Sequence, residues 1–119
     1  MKSTALATIF AVLPVIATAD IPAIMAVDAT LTGDTWRFDV SLLHADTGWD
    51  HYADGWGIYT EDGTELGYRV LAHPHVNEQP FTRSLSGVTL PEGTTEVFIL
   101  PHDLVHGIGP RFLVTLPTP

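Results

Sequence analysis

The chain contains no cysteine, although its N-terminus has the features of an export signal. This absence excludes disulfide bonds, thiolate zinc sites, iron–sulfur clusters and a cysteine nucleophile. Methionine is nearly as scarce, since Met1 and Met25 are the only two. A methionine-rich copper(I) site is therefore unsupported, and any metal site must use nitrogen and oxygen donors.

Positive charge is also scarce. The chain has five lysine and arginine residues against 14 aspartate and glutamate residues, and its formal net charge is −9. A body of this charge repels nucleic acid and anionic membrane surfaces and attracts cationic partners or metal ions. We therefore expect no nucleic-acid partner.

Residues 1–19 have the three parts of a secretory signal peptide. Lys2 supplies the positive start, residues 5–17 form a mostly apolar run, and Ala17-Thr18-Ala19 matches an A-x-A cleavage signal. The apolar run is shorter than the roughly 20 residues needed to cross a membrane. We predict cleavage after residue 19, a periplasmic or secreted location without stable membrane insertion, and a single domain over 20–119. The alternative is an uncleaved anchor or a core helix.

Residues 20–119 predict an all-β domain. Short alternating runs are separated by turn residues at intervals of roughly 8 to 12, which is typical of an antiparallel sandwich or barrel. The clearest run is TWRFDVSLL, in which apolar and polar residues alternate from Trp36 to Leu42. Seven such runs predict an immunoglobulin-like or fibronectin-type seven-stranded antiparallel β-sandwich.

Histidine is concentrated in three long connections between the predicted strands. If each strand runs antiparallel to the one before it, these three connections emerge at the same end of the sandwich, opposite the short turns. They contain all six histidines of the chain: His44, His51, His73, His75, His102 and His106. Because imidazole suits copper(II) and zinc, we predict that some or all of these residues bind one of those ions.

Two pairs among these histidines have spacings that suit a shared ion. His73 and His75 point to the same side of an extended backbone, and His102 and His106 share a face if their loop forms a helical turn. Nearby carboxylates either bind the ion or orient the imidazoles. The alternative for each pair is solvation or hydrogen bonding without metal, and His44 alternatively caps its strand.

The same loops also predict a recognition surface. Trp49, Tyr52 and Glu78 lie in or beside them, and tryptophan and tyrosine are frequent anchors at interfaces. A metal-free module that binds a periplasmic protein is therefore the second hypothesis. No nucleophile elbow, glycine-rich phosphate loop or H-E-x-x-H motif is present. We expect a monomer with a binding or carrier role, not an enzyme.

The runs HADTGWDHYADGW, HPHVNEQPFTRSLSGV and HDLVHGIG, taken together, resemble a group of small secreted bacterial proteins of unknown function. The resemblance covers most of the predicted mature chain. It implies a compact exported domain in which these loops are the signature, and it implies no activity, cofactor or ligand set.

Overall fold

The computed structural model describes residues 21–118, which form eight β-strands. The predicted signal peptide lies outside the described residues. The strands, in chain order, are β1 Ala23–Thr32, β2 Thr35–Leu43, β3 Ala53–Tyr59, β4 Glu65–Val70, β5 Phe81–Val88, β6 Glu96–Asp103, β7 Gly107–Ile108 and β8 Phe112–Thr115. Residues 21–118 contain no helix of the length and apolar character needed to cross a membrane.

The strands form two antiparallel sheets packed as a sandwich. One sheet has the order β1-β2-β5, and the other has the order β4-β3-β6, with β7 and β8 both paired to β6. This arrangement confirms the predicted immunoglobulin-like fold. The difference from seven strands is β7, a two-residue strand within the third long connection that pairs with His102 and Asp103.

The core lies between the sheets and follows the alternation of the sequence. Phe38, Val40 and Leu42 of β2 face Trp56 and residues of β6 across the interior, and all are buried. Burying a side chain of this size contributes about 1.5–3 kcal/mol relative to leaving it exposed. Since the chain has no disulfide, this apolar layer is the main stabilisation of the domain.

Strand pairing places the three long connections together, as the sequence predicts. Short turns join β1 to β2, β3 to β4 and β5 to β6, while the longer connections from β2 to β3, β4 to β5 and β6 to β8 lie at the other end. The backbone N–H of His75 donates to the Asp46 carboxylate, and that of Leu104 donates to the Tyr52 carbonyl. These bonds tie the second and third connections to the first.

The alternating runs WGIYT and TEVFIL predict that β3 begins at Trp56 and that β6 ends at Leu100, and both strands extend further in the structure. β3 begins at Ala53, three residues before Trp56, and β6 continues through Pro101 to Asp103, so His102 and Asp103 lie on a strand and not in a loop. Proline breaks a ladder because it has no N–H. Along one edge of β6, pairing with β8 ends at Ile99 and pairing with β7 begins at His102, so Pro101 lies in the gap between the two ladders.

Candidate metal centre

The centre of the site is one carboxylate oxygen surrounded by imidazoles. Oδ2 of Asp103 accepts hydrogen bonds from Nε2 of His44 at 2.9 Å, from Nε2 of His51 at 3.1 Å and from Nδ1 of His106 at 3.0 Å. These three histidines come from the first and third long connections. Because each strand runs antiparallel to the one before it, the fold brings together side chains that are up to 62 positions apart in the sequence.

The two deepest members of the cluster continue the inward faces of two strands. His44 follows Leu42 at the next inward position of β2, and Asp103 follows Ile99 and Pro101 along β6. Both side chains are fully buried, and their hydrogen bond joins the two sheets across the end of the core. The residue paired with Asp103 on β3 is Ala53, whose small side chain leaves space for the carboxylate.

The other oxygen of Asp103 shapes the third connection. Oδ1 accepts the backbone N–H groups of Val105 at 3.0 Å and His106 at 2.5 Å. An aspartate that bonds the backbone two and three residues later forms a tight local turn. This turn directs the His106 ring back towards Oδ2, so one residue both faces the imidazoles and positions one of them.

The same contacts set the charge of Asp103. Burial is the largest influence and raises the pKa of this carboxyl, because it disfavours the ionised form. Hydrogen bonds from His106, His51 and His44 together outweigh burial and hold the pKa well below its usual range. The Asp103 carboxyl is therefore ionised at neutral pH.

Burial decreases from the interior outwards across the cluster. The side chains of His44 and Asp103 are 0% exposed, that of His51 is 18% exposed, and that of His106 is 38% exposed. His51 packs edge-on against His44, and the His106 ring lies next to His51, with centroid separations of 4.7 and 5.1 Å. The cluster thus has a fixed inner side and an outer side open to solvent.

The donor atoms are close enough to hold a metal ion. Within residues 21–118, one ligand atom each from His44, His51 and Asp103 lies within 4.8 Å of the others. Ligands of tetrahedral zinc at 2.0–2.1 Å are about 3.3 Å apart. The three N–O separations around Oδ2, 2.9, 3.0 and 3.1 Å, are near that value. His106 is outside this compact group and offers a fourth, more exposed donor.

His73 and His75 lie apart from this cluster. Nε2 of His75 accepts a hydrogen bond of 2.9 Å from the Arg83 guanidinium, and the ring stacks on Phe81 at 3.9 Å between centroids. Burial, followed by the positive charge of Arg83, lowers the pKa of His75. His73 is exposed, and its Nδ1 donates to the carbonyl of Pro74. The predicted H-x-H pair is therefore turned to local contacts in this structure.

His102 points away from the cluster. Its Nδ1 donates a 2.6 Å hydrogen bond to Oδ1 of Asp54, and its strand neighbours are Gly55 and Ile108. Successive side chains of a strand lie on opposite faces, so His102 lies on the outer face of the sheet while Asp103 faces inwards. The expected pairing of His102 with His106 rests on a helical turn that the structure replaces with the end of β6.

The three predicted partner-binding residues lie at the loop end. Trp49 is 67% exposed and meets the Tyr52 ring edge to face, with 5.6 Å between centroids. Glu78 is exposed and lies 3.4 Å from the guanidinium of Arg83. Leu104 and Val105, between Asp103 and His106, are exposed as well. An apolar rim therefore adjoins the outer side of the cluster.

The sequence analysis expects nearby carboxylates to bind the ion or to orient the imidazoles, but it does not single out Asp103 or Asp46 among them. Asp103 has a signal in the sequence, because it occupies an inward position of the alternating run that contains Val97 and Ile99. A carboxylate at such a position must be paired. Asp46 has no comparable signal, since it lies in a connection whose path only the fold defines.

Comparison of folds places the domain among β-sandwich proteins. A superoxide reductase from Nanoarchaeum equitans superposes with a TM-score of 0.55 over 79% of this chain and 91% of its own, at 13% sequence identity. A hypothetical protein from Pyrococcus horikoshii OT3 superposes with a TM-score of 0.54 over 82% of this chain and 88% of its own, at 17% identity. Likeness at this identity shows a common fold.

One sequence relative is more similar. A protein described as "Putative lipoprotein" from Halomicrobium mukohataei is 45% identical over 91 residues, which is 74% of this chain. The match spans 44% of the relative, so this chain corresponds to somewhat less than half of that protein. No protein-family model matches the chain.

Proposed function

We propose that this domain binds a divalent transition metal ion, copper(II) or zinc, through His44, His51, Asp103 and His106. The single observation that carries the proposal is the meeting of three imidazole nitrogens at one buried carboxylate oxygen, each within 3.1 Å. Neutral imidazole and carboxylate are donors that both ions accept. The remaining candidates, His73, His75 and His102, are outside the proposed ligand set.

The negative charge of Asp103 supports binding of a cation by the cluster. Asp103 remains ionised, and the domain has a large excess of acidic residues. In the absence of an ion, hydrogen bonds from the three imidazole N–H groups stabilise the ionised carboxylate. An ion would replace these shared protons, because a ligating nitrogen must be deprotonated.

Calorimetric titration of the purified protein with zinc and with copper(II) at pH 7.5 tests the proposal. We expect one saturable site per chain with a dissociation constant of about 1 µM or lower. His51→Ala should weaken binding at least about tenfold, because it removes one ligand without emptying the deepest part of the core. Titrations of the wild type that show no saturable binding of either ion would reject the proposal.

His73→Ala is the matched control for this experiment. His73 belongs to the same end of the domain and is exposed, and its ring contacts only His75 and the backbone of Pro74. The variant removes an imidazole from the loop end without changing the cluster. Equal loss of affinity in His73→Ala and His51→Ala would indicate diffuse binding to surface histidines.

The role that fits this site is binding or carriage of the ion by an exported protein. A similar protein carries the description "Putative lipoprotein", and the N-terminal 19 residues of this chain have the pattern of an export signal. The side chains of His51 and His106 are partly exposed, so a bound ion would be accessible from solvent on that side. A location in the periplasm or the medium follows from the same signal.

A second candidate function is metal-free recognition of another exported protein. The observation that favours it is the exposed Trp49, together with Leu104 and Val105 at the same end. Exposed aromatic side chains are frequent interface anchors. A partner that is retained in chelator and lost in a Trp49→Ala variant would support recognition, whereas a partner lost on chelation would make its binding depend on the ion.

A further inference from the structure

The Asp46 carboxylate accepts hydrogen bonds from three N–H groups in three parts of the chain. Oδ1 accepts Nδ1 of His44 at 2.5 Å and the backbone N–H of Ala53 at 3.0 Å. Oδ2 accepts the backbone N–H of His75 at 2.7 Å. The side chain is fully buried, and the ring nitrogen Nδ1 of His75 also lies 3.9 Å from Oδ2.

Because both oxygens of Asp46 accept these hydrogen bonds, Asp46 is not a ligand in this arrangement. It lies instead next to His44, which is a proposed ligand. Oδ1 of Asp46 contacts His44 Nδ1, whereas Asp103 and the other histidines of the cluster lie on the Nε2 side of the same ring. A carboxylate that accepts the remote N–H of a ligating imidazole fixes which nitrogen carries the proton and holds the plane of the ring. It also raises the basicity of the nitrogen that binds the ion.

We propose that Asp46 is the positioning residue of the metal site, which holds His44 with its proton on Nδ1 so that Nε2 binds the ion. This inference rests on the proposed function. It makes Asp46 a determinant of metal affinity although Asp46 does not contact the ion. Asp46 also links His44 to Ala53 at the start of β3 and, through His75, to the second long connection.

The test is Asp46→Asn, which keeps the shape of the side chain and removes its charge. The NH2 group of asparagine replaces one carboxylate oxygen and cannot accept a hydrogen bond, so at least one of the three N–H groups loses its acceptor. We expect zinc affinity to fall about 10- to 100-fold. The visible absorption bands of the cobalt(II)-substituted protein should shift as well, because the orientation and basicity of His44 change.

Gln79→Ala is the control for a merely structural role. The Gln79 side chain ties the same two connections, since its Oε1 accepts the backbone N–H of His44 at 2.9 Å and its Nε2 donates to the His75 carbonyl at 2.9 Å. It does not contact the imidazole nitrogens. We expect Gln79→Ala to lower the melting temperature while zinc affinity stays within about twofold and the cobalt(II) bands are unchanged.

Nitrogen NMR of the zinc-bound wild type provides a measurement that does not depend on a variant folding. The proposal expects a proton on Nδ1 of His44 and zinc on Nε2. Zinc on Nδ1 would overturn it, and so would an Asp46→Asn protein that binds zinc as tightly as the wild type, or equal weakening by Asp46→Asn and Gln79→Ala. Absence of zinc binding by the wild type would instead reject the proposed function itself, and with it this inference.

Discussion

His102 and Asp103 are consecutive residues of β6 whose side chains lie on opposite faces of the sheet. Asp103 is buried among three imidazoles, while His102 pairs with Asp54 on the outer face. The two residues therefore separate the inner cluster from a second histidine–aspartate pair of similar chemistry. This relationship gives a sharp comparison of variants.

His102→Ala should leave metal affinity within about twofold of the wild type, whereas His106→Ala should weaken it about tenfold. The reason is that His106 Nδ1 contacts Asp103 Oδ2 and His102 Nδ1 contacts only Asp54. Both histidine side chains are similarly exposed, so the pair is matched for accessibility. Zinc titration of the two variants checks the prediction, which is wrong if His102→Ala shows the larger loss.

Metal affinity should decrease as the pH falls from 7 to 5. The imidazole nitrogens must be deprotonated to bind an ion, so protons compete with the metal for these ligands. The pKa of Asp103 is lowered, so its carboxylate stays ionised throughout this range and does not contribute to the loss. Titrations at half-unit intervals should show affinity falling more steeply with pH than a single imidazole would give. A flat profile would exclude histidine ligands.

The stability of the metal-free protein should carry a contribution from His75 that increases with pH. Burial, followed by the charge of Arg83, lowers the pKa of His75 in the folded state. Between this lowered value and the ordinary value of about 6.5, the unfolded state binds more protons at this residue. The contribution is complete above about pH 6.5 and is lost as the pH falls towards the folded pKa.

Comparison with His75→Gln isolates this contribution. Between pH 5 and pH 7, the free energy of unfolding of the variant should rise less with pH than that of the wild type. Urea denaturation in the presence of a chelator measures both, and the chelator removes any contribution of metal binding. A steeper rise in the variant would contradict the lowered pKa.

Gly55→Ala should destabilise the domain independently of any metal. A Cβ at position 55 would overlap the Tyr68 side chain, which crosses the glycine on the outer face of the sheet. Overpacking of this kind costs about 1–3 kcal/mol. Combining Gly55→Ala with Tyr68→Ala should relieve the overlap, so the two changes together should cost less than the sum of the single ones. Thermal unfolding of the four proteins measures the coupling.

Much of the fold could be predicted from the sequence because each half-buried strand shows its inward face. Phe38, Val40 and Leu42 alternate with polar residues in the sequence and are buried in the structure. The common end of the three long connections follows from antiparallel order alone. The boundaries of β3 and β6 were less predictable, since Pro101 normally argues against a continued strand and here lies between two ladders.

The sequence predicted the end of the domain at which the histidine cluster lies and included its three histidines among six candidates, but it did not show which of the six would meet. The antiparallel order of the strands identifies the end of the domain that carries the histidines, but it does not determine the direction in which each imidazole ring points. His75 turns to Arg83 and Phe81, and His102 to Asp54, because those neighbours satisfy the rings locally. These contacts arise between segments distant in sequence, which a single sequence does not reveal.

The graded burial of the cluster has a kinetic consequence. His44 directly follows β2 and Asp103 ends β6, and both side chains are fully buried, whereas His51 and His106 are partly exposed residues of the connections, where local opening costs less free energy than opening of the core. Departure of a bound ion would therefore begin at the outer two ligands, with the inner two holding on last. Such stepwise release permits a short residence time even where equilibrium binding is tight.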